Sequence, residues 1–128
     1  LTFSRDFSAS IVGIRWPTTL GELTLGEDFN HPIEDVNWPS SLRQLTIGEN
    51  LNQAIKRAQW PASLRRLTFR KNLDQPIAGV QWSTFLANLT FGDRFNQPID
   101  VVDWPASLTQ LTFGRSFNQS VERVPSWP

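Results

Sequence analysis

The chain is written in one unit of twenty-two residues, fullest at residues 89–110, where it reads LTFGDRFNQPIDVVDWPASLTQ. In-register copies begin at Leu1, Leu23, Leu45, Leu67, Leu89 and Leu111, with no insertion before the last few residues. A fixed period of this length predicts a solenoid, in which each unit buries its apolar face against the next instead of closing a core alone. The chain is read as a single solenoid domain over 1–128, with repeats at 1–22, 23–44, 45–66, 67–88, 89–110 and a partial one at 111–128.

Reading down the columns of the repeat assigns its parts. Leu23, Leu45, Leu67, Leu89 and Leu111 form one apolar column, and Leu25, Ile47, Phe69, Phe91 and Phe113 form another two places on. Threonine stands between them in every copy, at Thr2, Thr24, Thr46, Thr68, Thr90 and Thr112. Apolar, threonine, apolar is the alternation of a strand with one buried face, and threonine suits the other face. Each repeat therefore supplies one short strand. Successive strands run the same way around the coil, which makes a parallel sheet joined by right-handed crossovers.

The rest of each unit must return to the next strand while burying four further columns, typified in the fifth copy by Phe95, Ile99, Val102 and Leu108. Pro32, Pro76 and Pro98 interrupt the middle of the unit, and a second proline usually follows the tryptophan. Proline breaks a helix and pushes the preceding residue to extended geometry. The expected fold is thus mainly β, with return arms that are largely non-helical. The glycine after the strand, at Gly26, Gly48, Gly92 and Gly114, is suited to a positive φ at the turn, which is not obligatory there, since Ser4 and Arg70 stand in the same column. The asparagine column Asn30, Asn52, Asn96 and Asn118, with Asp74 as a substitute, is expected to satisfy buried turn peptides from one coil to the next.

The spacing Leu42-x-x-Leu45-x-Ile47, repeated with a turn asparagine, resembles a leucine-rich repeat. More narrowly, FNQPI at Phe95–Ile99, preceded by LTFG and followed by WPASL, resembles the FNIP-type repeats over essentially the whole chain. Two features depart from these patterns: the asparagine falls two places later than in common leucine-rich repeats, and tryptophan stands where FNIP units commonly have leucine. The resemblance implies a protein-interaction scaffold, often attached to other domains, and implies no reaction.

Residue chemistry points the same way. Cysteine is absent, which removes thiol nucleophiles, thiolate metal sites and disulfides and is compatible with a cytoplasmic location without fixing it. The one histidine, His31, occupies a column otherwise filled by Gln53, Gln75, Gln97 and Gln119, so it reads as a polar substitute. No metal site, cofactor or catalytic residue is expected. No apolar run reaches the length of a membrane span, and no signal-peptide core stands at the N-terminus. The start at the first residue of a repeat, without methionine, reads as an excerpt or processed piece of something longer. With Leu1 and Phe3 at an uncovered edge, isolated chains are expected to pair through their ends unless more repeats adjoin them.

Three surfaces are candidates for recognition. The tryptophan column, Trp16, Trp38, Trp60, Trp82 and Trp104, reads as half-buried packing, with ligand stacking as the alternative; in the last copy VPSWP moves Trp127 one place late. The ends would support self-association. The sheet face is the leading candidate, because its outward positions vary while the core columns hold nearly fixed. Between Arg43 and Lys71 lie seven basic residues and one acidic one, against five basic and eleven acidic elsewhere, so the middle carries about +6 and the flanks −6. The formal net charge of zero hides this division, and no nucleic-acid partner is expected. The partner-binding candidates are Gln44, Thr46, Arg66, Thr68, Arg70, Asn88 and Thr90, taking a protein or peptide, acidic in character, through forked guanidinium contacts.

Overall fold

A computed structural model of the chain describes residues 1–122, Val124 and Trp127. The apolar–threonine–apolar segments form five strands, β1 Glu22–Thr24, β2 Gln44–Ile47, β3 Arg66–Phe69, β4 Asn88–Thr90 and β5 Gln110–Thr112. They pair in sequence order in one parallel sheet. Register is set by the period: Leu23 pairs with Leu45, Leu45 with Leu67, Leu67 with Leu89 and Leu89 with Leu111, each twenty-two residues on. A bridge between Thr2 and Thr24 carries the ladder into the first copy. Among the described residues there is no helix, and so none long and apolar enough to cross a membrane.

Proline and the apolar columns dictate the return arm. Each coil closes by short turns in which an apolar N–H bonds back three residues. Val36 donates to the Ile33 carbonyl, Ala58 to Ile55, Val80 to Ile77 and Val102 to Ile99. Before the strand, Leu42 donates to Pro39, Leu64 to Pro61, Leu86 to Ser83 and Leu108 to Pro105, at 3.0–3.1 Å. Proline stands at the first position of three of these four turns, where its carbonyl accepts the closing bond and its missing N–H is not called on. The apolar turn ends face inward, so that Leu42, Ile55, Leu64, Ile77, Leu86 and Ile99 are all fully or almost fully buried. Burial of each such side chain is worth about 1.5–3 kcal/mol, and the same gain recurs coil after coil.

The glycine column has a different cause from the one expected. Gly26, Gly48, Gly92 and Gly114 do not adopt positive φ; only Gly13 and Gly79, in the return turn, do so, at 83° and 81°. The post-strand glycines instead allow neighbouring coils to touch. A Cβ at Gly48 would stand 1.9 Å from the Gly26 carbonyl oxygen, and one at Gly92 would stand 2.3 Å from that of Arg70. Where Arg70 takes the glycine's place the chain stays paired with the preceding coil, its N–H donating to the Ile47 carbonyl at 3.1 Å, and Ile47 and Phe69 join the ladder.

The asparagine column is a ladder, though on half-buried to exposed surface instead of in a buried turn. The N–H of Asn52 donates to Asn30 Oδ1, Asp74 to Asn52, Asn96 to Asp74 and Asn118 to Asn96, at 2.9–3.0 Å. The glutamine that follows reaches the same oxygen: Gln75 Nε2 lies 2.8 Å from Asn52 Oδ1 and Gln97 Nε2 2.8 Å from Asp74 Oδ1. One side-chain oxygen per coil thus accepts both a backbone and a side-chain donor from the next coil, which explains why aspartate substitutes freely at Asp74. His31 makes no such contact and packs its ring 5.9 Å from that of Phe29.

The tryptophans form two stacks along the coil axis. Trp16, Trp38 and Trp60 stack at centroid distances of 6.4 and 6.1 Å, and Trp82, Trp104 and Trp127 at 6.3 and 6.5 Å. Trp127 joins its stack despite the one-place slip; Pro125, Ser126 and Pro128, which make the remainder of that motif, lie outside the described residues. Trp38, Trp60 and Trp82 are buried, and each indole N–H from Trp16 to Trp104 is enclosed without an acceptor among the described residues. Packing alone holds these rings, at about 0.5–1.5 kcal/mol for a stacked pair beyond area burial.

Candidate functional site

Strand alternation puts the first and third residues of each strand outward. Gln44, Arg66 and Asn88 are in register across β2, β3 and β4, and so are Thr46, Thr68 and Thr90. Six of the seven residues singled out on this face therefore make two adjoining rows, and Arg70 extends the third strand one residue past its end. Arg66 and Arg70 are exposed, while Gln44, Thr46, Thr68, Asn88 and Thr90 are half-buried. The threonines form a low floor and the two guanidiniums rise at either end of it.

Arg66 is also held in place. With the Asn88 amide oriented so that its Nδ2 donates to the Ala87 carbonyl at 3.0 Å, its Oδ1 accepts from Arg66 Nε and Nη2 at 3.2 and 3.1 Å. A guanidinium has five N–H donors in a planar fork, so three remain for a ligand, and the side chain is tied across the sheet before one arrives.

Charge on this side is not neutralised from within. All seven cations from Arg43 to Lys71 are exposed, with Arg43, Arg65, Arg66, Arg70 and Lys71 at or beside the strands and Lys56 and Arg57 on the return arm, and the one salt bridge among the described residues joins Arg5 to Glu27, at 2.8 Å. Beyond the third strand a shallow groove of about 400 Å³ is lined by Thr68, Arg70, Lys71, Thr90 and Thr112 together with the acidic Glu49 and Asp93. Such a surface can bind carboxylates or phosphates by charge and fork geometry.

The tryptophan column offers no comparable platform. Its three central rings are buried. A cleft of about 570 Å³ does open where the two stacks part, between Trp60 and Trp82, lined by Lys56, Arg57, Gln59 and Gln81. Gly79 and Ala58 leave it open by being small. No cluster of His, Cys, Asp or Glu able to hold a metal ion occurs among the described residues.

Column reading missed one feature beside the sheet. Phe85 is 56% exposed, and the Arg65 guanidinium lies 5.9 Å from its ring centroid. Its signal was present in the sequence: WSTFL at 82–86 replaces the WPASL pattern seen at 104–108, so phenylalanine stands in the column of Ser41, Ser63 and Ser107.

The fold and this face define a β-solenoid repeat protein whose side chains vary on the outside of a constant frame. The chain belongs to the FNIP repeat family: the family's model, FNIP Repeat, matches residues 29–72 and 95–124, more than half of the chain. No curated protein matches it.

Proposed function

We propose that the chain is a non-enzymatic interaction scaffold that binds an acidic segment of a partner protein across the outward face of its parallel sheet. One observation carries this reading: the exposed cations of the central coils have no carboxylate partner among the described residues, although the chain as a whole has as many acids as bases. The charges are segregated, with seven basic residues and one acidic one between Arg43 and Lys71 and most acids in the flanks. The rows Gln44–Arg66–Asn88 and Thr46–Thr68–Thr90 supply a floor of amides and hydroxyls, and Arg66 and Arg70 supply forks that grip carboxylates in pairs. A rigid solenoid keeps these groups at fixed spacing, which lowers the ordering cost of association.

The test is binding of a fluorescent glutamate-rich peptide to the parent chain and to an Arg66→Glu, Arg70→Glu variant, with light scattering on both. The parent is expected to bind in a salt-sensitive manner, and the variant to bind at least about tenfold more weakly at unchanged mass. Equal binding by the two chains would refute the sheet face as the site. Concentration-dependent growth of both, with no peptide bound, would make self-association the leading account.

A further inference from the structure

Phe85 stands where a solenoid of this kind has a structural reason to keep serine. In three neighbouring copies that serine closes the coil: Ser41 Oγ donates to the Leu20 carbonyl and Ser63 Oγ to that of Leu42, both at 2.6 Å, and Ser107 Oγ to that of Leu86 at 2.7 Å. Phenylalanine at 85 cannot make the equivalent bond to Leu64. The carbonyl is nevertheless satisfied, because Ser83 replaces the proline two places earlier and its Oγ donates to Leu64 at 3.0 Å, with the Ala62 carbonyl at 3.2 Å. Ser83 is buried, the one polar side chain so placed among the described residues. The two departures from the repeat are thus one exchange: the internal bond is moved to Ser83, and position 85 is released to carry a large apolar ring in solvent.

The ring's neighbours are not random either. Arg65 lies against it at cation–π distance, and the backbone N–H of Arg65 donates to the Arg43 carbonyl, so Arg43 and Arg65 are successive along the rim where the strands begin. Arg66, tied to Asn88, opens the sheet face directly beyond. An exposed aromatic flanked by unneutralised guanidiniums and continuous with a sheet of hydroxyls has the make-up of an interface anchor, since aromatic and arginine side chains dominate binding hot spots.

We infer that Phe85, with Arg65 beside it, is an apolar anchor of the sheet-face site, so that the partner is an acidic segment carrying an aliphatic side chain that packs on this ring while its carboxylates meet Arg43, Arg65 and Arg66. The inference rests on the sheet-face reading above and adds a selectivity to it. Charge complementarity chooses the occupant: an apolar segment without acids would leave the guanidinium rim unpaired, and an acidic one without an apolar group would leave the ring in water.

Two short peptides decide it, both built of glutamate and glycine, one with a central leucine and one with serine in its place. The parent chain is expected to bind the leucine peptide about fivefold more tightly, as partial burial of one such side chain implies. Phe85→Ser, which restores the residue of the other copies, should erase that preference, leave the serine peptide's affinity unchanged and lower the unfolding midpoint only slightly. The Arg66→Glu, Arg70→Glu variant should weaken both peptides alike. If the parent binds the two equally, or if Phe85→Ser keeps the preference, the anchor is refuted while the sheet face stands. If the parent binds neither, both readings fall. If Phe85→Ser instead abolishes association of the chain with itself, the ring's occupant is a second copy and the acidic segment is wrong.

Discussion

The closing segments 82–86 and 104–108 trace the same turn with different wiring. In the later one, Ser107 Oγ on the half-buried rim bonds the Leu86 carbonyl; in the earlier one, Ser83 does the equivalent work for Leu64 from a buried position. Backbone closure is unaffected, as Leu86 donates to Ser83 at 3.1 Å and Leu108 to Pro105 at 3.0 Å. The turn survives loss of its proline because its geometry is fixed by the leucine behind it and by the stacked tryptophan ahead of it. A solenoid therefore constrains where its carbonyls find donors, and leaves open which side chain provides them. That freedom lets one coil change its outer surface without changing its frame.

The two segments differ most at their tryptophans. Trp82 is buried at 8% exposure, its ring edge-on to Phe91 at 6.2 Å, whereas Trp104 is only partly buried. Trp82→Ala is expected to cost about 3–5 kcal/mol, and Trp104→Ala clearly less, in urea unfolding followed by circular dichroism. Equal losses would mean that the two segments are packed alike and that the parting of the stacks beside Trp82 has no energetic meaning. Because coils couple mainly to neighbours, hydrogen exchange should show the Trp82 loss concentrated in the third to fifth copies.

A smaller effect separates the two serines. Ser83→Ala leaves the Leu64 carbonyl in a buried site without its donor, which costs about 1–3 kcal/mol. Ser107→Ala takes the donor from Leu86, which is as enclosed as Leu64, but the serine itself is only half-buried and water at that rim can stand in for its hydroxyl, so about 0.5–1.5 kcal/mol is expected. The order of the two unfolding midpoints is the readout, and a reversed order would show that Ser83 does not carry the closure of its coil.

Much of this was legible from columns. The strands, their register and the asparagine ladder follow from the fixed period, since in-register copies place like beside like. Two environments were not. The sequence shows that Gly48 recurs as glycine but not that a carbonyl from the coil below lies 1.9 Å from its missing Cβ, so positive φ was the natural local explanation and close approach the real one. It shows a column at Asn30 and Asn52 but not which side of the turn meets water. Phe85 and Ser83 escaped for a different reason: a column average treats each departure as noise, while the physical content lay in two departures together, two residues apart in sequence and joined by one carbonyl.

The smallest effect tests that pairing. Phe85→Ser alone removes an exposed ring and a cation–π contact worth about 0.5–1 kcal/mol at such a site, and adds a hydroxyl facing a carbonyl that Ser83 already satisfies. Its stability change should be a loss of no more than about 1 kcal/mol, the size of that contact. Ser83→Pro alone should be destabilising, since it deletes the only donor to Leu64. Ser83→Pro joined with Phe85→Ser rebuilds the pattern of 104–108 and should recover most of that loss, a coupling of about 1 kcal/mol in a double-mutant cycle. Additive changes would mean that the two substitutions are independent, and the compensation that frees Phe85 for an outside partner would lose its support.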